Sequence, residues 1–160
     1  MTKVKIATAL AFLLSTISAI PGFSQGDPAP LLSFPTSTVT VESSGGPHQF
    51  EVWIADTPAR QAQGLMFVRE LPSSQGMLFV NDPPRVASFW MRNTFIPLDI
   101  LFIDERGRIV EIFANTTPLS DTPIGARTPV RAVLELRGGE SKRRGINRGD
   151  RVKHPAFRKR

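Results

Sequence analysis

Residues 98–114 read LDILFIDERGRIVEIFA and contain the clearest structural signal in the chain. Every residue from Leu98 to Ile103 is apolar except Asp99, which is typical of a strand covered on both faces. The run DERG follows as a hairpin turn, and Gly107 stands where the turn favours a positive φ. A second apolar run returns directly after the turn. The stretch therefore predicts two paired strands, the first of them central in a sheet.

Two further stretches alternate with the period of a half-buried strand. Over 47–55 one side carries His48, Phe50, Val52 and Ile54, and over 130–137 one side carries Val130, Ala132, Leu134 and Leu136. Shorter strands are predicted at 38–42, 76–80, 85–91 and 150–154.

Two short helices are also predicted. Thr57 can cap the first, over 58–63, and Gly64 can end it. The second, over about 139–144, follows a Gly-Gly pair and stops at Gly145. Many short strands separated by turn residues indicate a mainly β fold, a compact single-domain β-sandwich or partly closed barrel with two short helices.

The composition excludes several kinds of chemistry. The chain has 160 residues, which is enough for one domain, and it contains no Cys. Disulfides, thiolate nucleophiles and Cys-ligated zinc are therefore excluded. His48 and His154 are the two imidazoles, too few for a multi-His metal site. No metal or cofactor is expected.

The N-terminal segment has the pattern of a secretory signal. Lys3 and Lys5 precede a short apolar run that ends at Pro21-Gly22. The predicted organisation is a signal peptide over 1–24, a Pro-rich linker over 25–37, a β-rich domain over 38–154 and a basic tail over 155–160. The domain is expected to be periplasmic or extracellular, without a transmembrane segment once the signal is removed. A retained membrane anchor is the alternative.

Positive charge is concentrated at the C-terminus. The net charge is +6, and residues 137–160 contain ten Lys or Arg against Glu140 and Asp150. An exported protein seldom meets nucleic acid, so an anionic membrane surface is the more plausible electrostatic partner of the tail. The alternative is a solvated end without a partner.

Four strings resemble a known family: ADTPARQAQGLMF (55–67), GMLFV (76–80), FWMRNTFIPLDILFID (89–104) and PVRAVLEL (129–136). They are similar to the bacterial and archaeal family catalogued as domain of unknown function 192, over roughly residues 48–154. Arg92 stands where that family more commonly has Lys, which keeps the charge. The resemblance implies a compact β-rich fold and frequent export, and it implies no established reaction.

The candidate site centres on Trp90. The predicted strand 85–91 places Phe89 and Met91 on its core face and Trp90 on the mixed face. Trp53 falls on the more polar face of its own strand by the same alternation. Exposed indoles can serve as platforms for sugar or base rings, whereas the alternative for each Trp is packing beneath a loop or helix.

Polar residues near Trp90 complete the predicted site. Arg92, Asn93 and Asp99 could supply donors and acceptors to a polyhydroxyl ligand. Asn93, Thr94 and Asp99 could instead satisfy local backbone groups. Asp56 is explained by the cap of the first helix and an ion pair with Arg60, but it could also form the rim. The candidate ligand-binding residues are Trp90, Arg92, Asn93, Thr94, Asp99, Asp56 and Arg60.

Three classes of function remain open. The first is a non-catalytic envelope module that binds a saccharide or another small ligand. The second is a structural or protein-interaction factor of the envelope. The third is an enzyme acting on polysaccharide with Asp56 and Asp99 as acid and base, which would require the two carboxyl groups to stand about 5–9.5 Å apart.

Overall fold

The computed structural model describes residues 31–157, and its main element is a curled seven-stranded sheet. The strands are β1 (Thr36–Ser43), β2 (Gly46–Ala55), β3 (Gln75–Arg85), β4 (Ser88–Phe89), β5 (Leu98–Ile103), β6 (Ile109–Phe113), β7 (Ile124–Gly125), β8 (Val130–Arg137) and β9 (Arg151–Lys153). Two short helices, α1 (Pro58–Gln63) and α2 (Glu140–Arg143), and a 3₁₀ turn (Pro155–Phe157) accompany them.

The large sheet has the order β6-β5-β8-β3-β2-β1-β9, and β4 pairs separately with β7. Strands β2 and β3 are parallel, and every other neighbouring pair in these sheets is antiparallel. The parallel pair requires a crossover, which α1 and the segment after it provide. The mainly β fold with two short helices predicted from the sequence is confirmed, and of the two predicted architectures the curled sheet corresponds to the partly closed barrel.

Both faces of the large sheet are apolar. The side that we call the first face carries Trp53, Met77, Phe79, Ile100, Phe102 and Val133. The second face carries Val39, Val41, Phe50, Leu78, Leu101 and Leu134. Loop residues including Leu65, Val68, Ala87 and Met91 cover the first face. The sheet therefore separates two cores, and adjacent residues of one strand are buried on opposite sides of it.

The hairpin predicted over 98–114 is confirmed. All residues of β5 are buried, and β5 lies between β6 and β8. The backbone N–H of Gly107 donates to the Asp104 carbonyl at 3.1 Å, and Gly107 has a φ of 78°. A Cβ on Gly107 would also meet the Val152 carbonyl oxygen at 2.6 Å, so glycine is required there for two reasons.

The predicted helix ends are confirmed at α1. The Thr57 hydroxyl accepts a hydrogen bond from the Arg60 N–H at 3.3 Å, and Pro58 occupies the first turn. Gly64 ends the helix with a φ of 51° and donates its N–H to the Arg60 carbonyl. The second helix is shorter than expected, but Ile146 covers its end as a buried residue.

The strand predicted over 85–91 is the main departure in secondary structure. Only Ser88–Phe89 form a strand, which pairs with Ile124–Gly125. Conversely, β3 continues to Arg85 rather than ending at 80, because its pairing with β8 shifts register after Val80 and resumes at Arg85. The two prolines in the interval have no N–H to donate, which explains the break in the ladder.

The ends of the described chain belong to the fold. Leu31 and Phe34 are buried, and β1 begins at Thr36, so the expected linker over 25–37 overlaps the domain at its C-terminal end. Phe157 packs against the second-face core, inside the expected tail. The predicted signal peptide, the rest of the linker and residues 158–160 lie outside the described residues. Within 31–157, no helix is both long and apolar enough to cross a bilayer.

Candidate functional site

A carboxyl group interrupts the apolar first face. Trp53, Met77, Glu135, Ile100 and Phe113 are successive cross-strand neighbours on β2, β3, β8, β5 and β6. Glu135 occupies the middle of this row, on β8, which lies between β5 and β3. Its side chain therefore projects from the sheet into the space beneath the covering loops.

Glu135 lines a cavity of about 210 Å³. One side is formed by the end of α1 and the residues that follow it, and the other by β4 and Trp90. Phe79 and Phe89 contribute aromatic walls and contact each other edge to face, with ring centroids 4.9 Å apart. The lining residues are Gln61, Ala62, Gln63, Gly64, Leu65, Met66, Phe79, Asn81, Arg85, Ala87, Ser88, Phe89, Trp90, Thr94 and Glu135.

Glu135 is almost fully buried, with 4% of its surface exposed. Within 31–157, no hydrogen bond or ion pair involves its carboxyl group, which borders the cavity. Burial without a compensating partner disfavours the charged form and raises the pKa of Glu135 to about 8. At neutral pH the cavity therefore contains mainly a protonated carboxylic acid.

Three other polar side chains of the cavity donate hydrogen bonds to backbone carbonyls. The Gln61 amide nitrogen donates to the Val80 carbonyl at 2.9 Å, and the Asn81 amide nitrogen donates to the Val130 carbonyl at 3.2 Å. The Thr94 hydroxyl donates to the Arg92 carbonyl at 3.4 Å. These contacts fix the walls and leave the Glu135 carboxyl as the buried polar group that faces the cavity without a partner.

Trp90 stands at the rim of the cavity and is 48% exposed. The Arg92 guanidinium lies 4.1 Å from the centre of its ring, and Arg92 also forms an ion pair with Asp121 at 2.8 Å. The predicted alternation is confirmed, because Ala87 and Met91 are buried while Val86 and Trp90 are exposed. The structure thus brings together Trp90, Arg92 and Thr94 from the predicted site.

The reading of Trp53 as an exposed platform is wrong. It is 2% exposed and packs in the first-face core with Leu31 and Phe34. The polar residues that share its side of β2, Gln49 and Glu51, are exposed near the other end of the strand. Alternation gave the correct side of the strand but could not show that residues 31–34 cover one end of it.

Asp99 is placed away from the cavity. It is completely buried, next to Leu136 on β8, and it is absent from the lining. Its carboxylate accepts backbone N–H groups from Asn115 at 2.7 Å, Gly139 at 2.8 Å and Ser141 at 2.7 Å. Both oxygens are engaged, so the side chain ties the start of β5 to the residue after β6 and to the N-terminus of α2.

The remaining predicted residues, Asp56, Arg60 and Asn93, do not line the cavity. Asp56 forms an exposed ion pair with Arg60 at 2.7 Å, beside the Thr57 cap. Asn93 is exposed with a φ of 56°, and its carbonyl accepts the Phe67 N–H at 2.8 Å. Asp56 and Asp99 therefore occupy different environments and do not face each other across this cavity.

A second surface borders the site and consists of Phe67, Phe95 and Leu119, which we call the aromatic patch. All three are exposed, and the Phe67 and Phe95 rings contact edge to face at 6.0 Å. Phe67 and Leu119 have φ values of 67° and 61°, which are unfavourable for bulky residues. Backbone hydrogen bonds to the carbonyls of Asn93 and Thr94 hold them there.

Sequence reasoning missed Glu135. The alternation in β8 placed Glu135 with Arg131, Val133 and Arg137, opposite the apolar set. Val133 in that group was the available signal, because an apolar residue on the supposedly polar side indicates a strand covered on both faces. A polar residue two positions further along then faces the same core.

These features place the chain in a class of small β proteins that have a curled mixed sheet and an aromatic-walled cavity with a buried carboxyl group. The family DUF192, described as an uncharacterized ACR group, matches residues 39–154, and the chain belongs to this family.

Two solved structures are similar to this chain. One is a protein of unknown function from Novosphingobium aromaticivorans, 46% identical, with a TM-score of 0.76, covering 78% of this chain and 89% of that chain. The other, described as "a putative transcription regulator" from Sinorhizobium meliloti, is 38% identical, with a TM-score of 0.75, covering 78% of this chain and 98% of that chain. No curated protein matches.

Proposed function

We propose that this protein is a non-catalytic module of the cell envelope that binds a small ligand in the Glu135 cavity, a saccharide or another compact polar molecule. The observation that carries the proposal is the buried Glu135 carboxyl, which faces the cavity without a partner in 31–157. The placement in the envelope rests on the signal-like sequence of residues 1–24.

An unpartnered buried polar group costs about 1–3 kcal/mol of stability, and an ionised one costs more. An apolar residue at position 135 would avoid this cost, because the neighbouring Met77 and Ile100 are apolar. A ligand that hydrogen bonds to the carboxyl group offsets the cost in the bound state. The cavity is therefore better explained as a binding site than as a packing defect.

The size of the cavity restricts the ligand. Pockets for drug-sized ligands measure about 300–1,000 Å³, and this one measures about 210 Å³. It can enclose a single ring or a short chain. Trp90 at the rim can contact a part of the ligand that projects outward, although Arg92 already covers one side of its ring.

Binding without catalysis is favoured by the lining. Hydrolysis of a glycosidic bond generally needs two carboxyl groups across the scissile bond. Glu135 is the one carboxyl-bearing residue among the described lining residues.

Replacing Trp90 with alanine tests this function. Because Trp90 is 48% exposed, we expect a loss of unfolding free energy of about 1 kcal/mol or less. Ligand binding should weaken at least tenfold, because an aromatic side chain at the rim supplies much of the contact area. Thermal-shift screening of monosaccharides and small polar compounds identifies a binder, and calorimetry then compares the variants.

Val86→Ala is the matched control, because Val86 is exposed in the same segment and lies outside the lining. It should bind like the wild-type protein. Unfolding curves that show a loss of several kcal/mol for Trp90→Ala would contradict the placement of Trp90 at an exposed rim. A screen in which no compound stabilises the protein would contradict the proposed function.

The aromatic patch supports a second candidate, a protein-interaction factor of the envelope. Exposed apolar residues held in unfavourable backbone conformations are common at functional surfaces. The double variant Phe67→Ser/Phe95→Ser separates the two functions. It should leave binding in the cavity unchanged, since neither residue belongs to the lining. Loss of ligand binding in this variant would show that the patch and the cavity act as one site.

A further inference from the structure

We propose that the ligand of the Glu135 cavity carries a positively charged nitrogen, such as a primary ammonium group, that pairs with the Glu135 carboxylate beside the rings of Phe79 and Phe89. This inference rests on the proposed function and names the chemical class of the ligand. The organic cation is the occupant that the polarity of the cavity and the chemistry of its walls both favour.

The first argument is the balance of donors and acceptors. The amide nitrogens of Gln61 and Asn81 and the hydroxyl of Thr94 donate to backbone carbonyls. What the cavity still offers at depth is the carboxyl group of Glu135, whose oxygens are acceptors once it is ionised. A ligand that supplies several N–H donors matches this surface. An anionic ligand could receive only one hydrogen bond from Glu135, and only while the carboxyl group keeps its proton.

The second argument is the composition of the walls. Phe79, Phe89 and Trp90 line the cavity together with the thioether of Met66. Aromatic faces attract cations, and the attraction increases when the cation is removed from water. The guanidinium of Arg92 over the Trp90 ring shows this type of contact at the rim. At the base, Phe79 and Phe89 can surround an ammonium group that pairs with Glu135.

The third argument concerns the other charge at the cavity. Arg85 is the one other ionisable side chain among the described lining residues, and its guanidinium donates to the Gln61 amide oxygen at 3.0 Å. Arg85 is exposed, so water screens its repulsion of a cation at the buried base. It can also contact an anionic or hydroxyl group at the outer end of the ligand.

Binding of the cation is coupled to loss of a proton. In the empty cavity Glu135 is mainly protonated at pH 7, since burial raises its pKa to about 8. When the ammonium group enters, the carboxyl O–H bond breaks, the proton passes to the buffer, and the carboxylate remains as the ion-pair partner. The ligand nitrogen keeps all its protons. Binding at pH 7 should therefore release close to one proton per ligand.

Three probes of similar size and different charge test the inference: 2-phenylethylamine, 2-phenylethanol and phenylacetate. We expect the amine to bind at least tenfold more tightly than the alcohol or the acid, measured by calorimetry at pH 8. Calorimetry at pH 7 in two buffers of different ionisation enthalpy should show the release of a proton with the amine and none with the alcohol. Between pH 6 and pH 9 the amine should gain about tenfold or more in affinity.

Glu135→Gln should remove the preference for the amine and leave the alcohol unchanged. Asp56→Asn is the matched control, because it also removes a carboxylate but lies outside the lining. If Glu135→Gln does not fold, the pH dependence of the wild-type protein decides. Equal binding of the amine and the alcohol, without proton release, would overturn this inference and leave the proposed function intact. Failure of every probe and of the wider screen would overturn the proposed function itself.

Discussion

Glu135→Gln should make the protein more stable at pH 8 than the wild-type protein and should flatten its stability between pH 5 and pH 8. The pKa of Glu135 is raised from 4.5 to about 8 in the folded state. Between these two values the folded protein holds a proton that the unfolded chain has lost, so the free energy of unfolding falls as the pH rises. The cost of ionising the buried Glu135 carboxyl is absent below its pKa in the unfolded chain, and it is fully present above about pH 8. Glutamine cannot ionise and does not incur it.

The difference in stability between the two proteins should grow by roughly 3–4 kcal/mol from pH 5 to pH 8, in favour of Glu135→Gln. Urea unfolding curves at several pH values measure it. Burial lowers the pKa of His154, and hydrogen bonds from Arg143 and Arg144 outweigh the burial of Glu140 to lower the pKa of its carboxyl. Both groups are present in both proteins and cancel in the difference. Parallel pH profiles would show that Glu135 ionises as readily in the fold as in the unfolded chain.

Asp99→Ala should be the most destabilising substitution of a predicted site residue. It leaves the backbone N–H groups of Asn115, Gly139 and Ser141 without their acceptor. A buried N–H group left without an acceptor costs about 1–3 kcal/mol, so we expect the loss of this acceptor for three of them to cost roughly 3–5 kcal/mol. Chemical denaturation should report a loss of this size, with ligand binding in the remaining folded fraction unchanged.

Asp56→Ala provides the comparison for Asp99→Ala. Its ion pair with Arg60 is exposed, and such pairs contribute about 1 kcal/mol or less. Asp99→Asn should lie between the two alanine variants, because the amide retains an acceptor but presents a donor to backbone N–H groups. A loss for Asp99→Ala no larger than for Asp56→Ala would contradict the structural role of Asp99.

The parts of the fold that the sequence predicts correctly depend on short-range rules. The alternation in β2 and β8, the apolar run of β5 and the Thr57 and Gly64 boundaries of α1 all depend on residues within one turn or strand. The β4–β7 pair was missed because two strands of two residues carry too little periodicity to be recognised.

The site was predicted only in part, because a strand pattern gives the side on which a residue lies but not what covers that side. The alternation of sides along a strand places Trp90 correctly at an exposed rim. It fails for Trp53, which the segment 31–34 covers. It also passes over Glu135, whose side of β8 faces a core instead of solvent. Which polar residue faces a cavity is decided by contacts between distant segments. Val133 in β8 indicates that this side of the strand is covered, but not which residues cover it.

The pairing of β1 with β9 constrains when this domain can finish folding. Thr40 faces Lys153 across the antiparallel ladder, and His154 contacts the Ser37 hydroxyl at 3.0 Å, so opposite ends of the described chain meet on one edge. Contacts so distant in sequence form late and slow the folding of β proteins. On the ribosome, β1 is synthesised first and must wait for almost the whole domain before its outer edge is paired. During that interval the unpaired edge of β1 is available for pairing with other strands, so the β1–β9 ladder protects the sheet edge only once the domain is nearly complete.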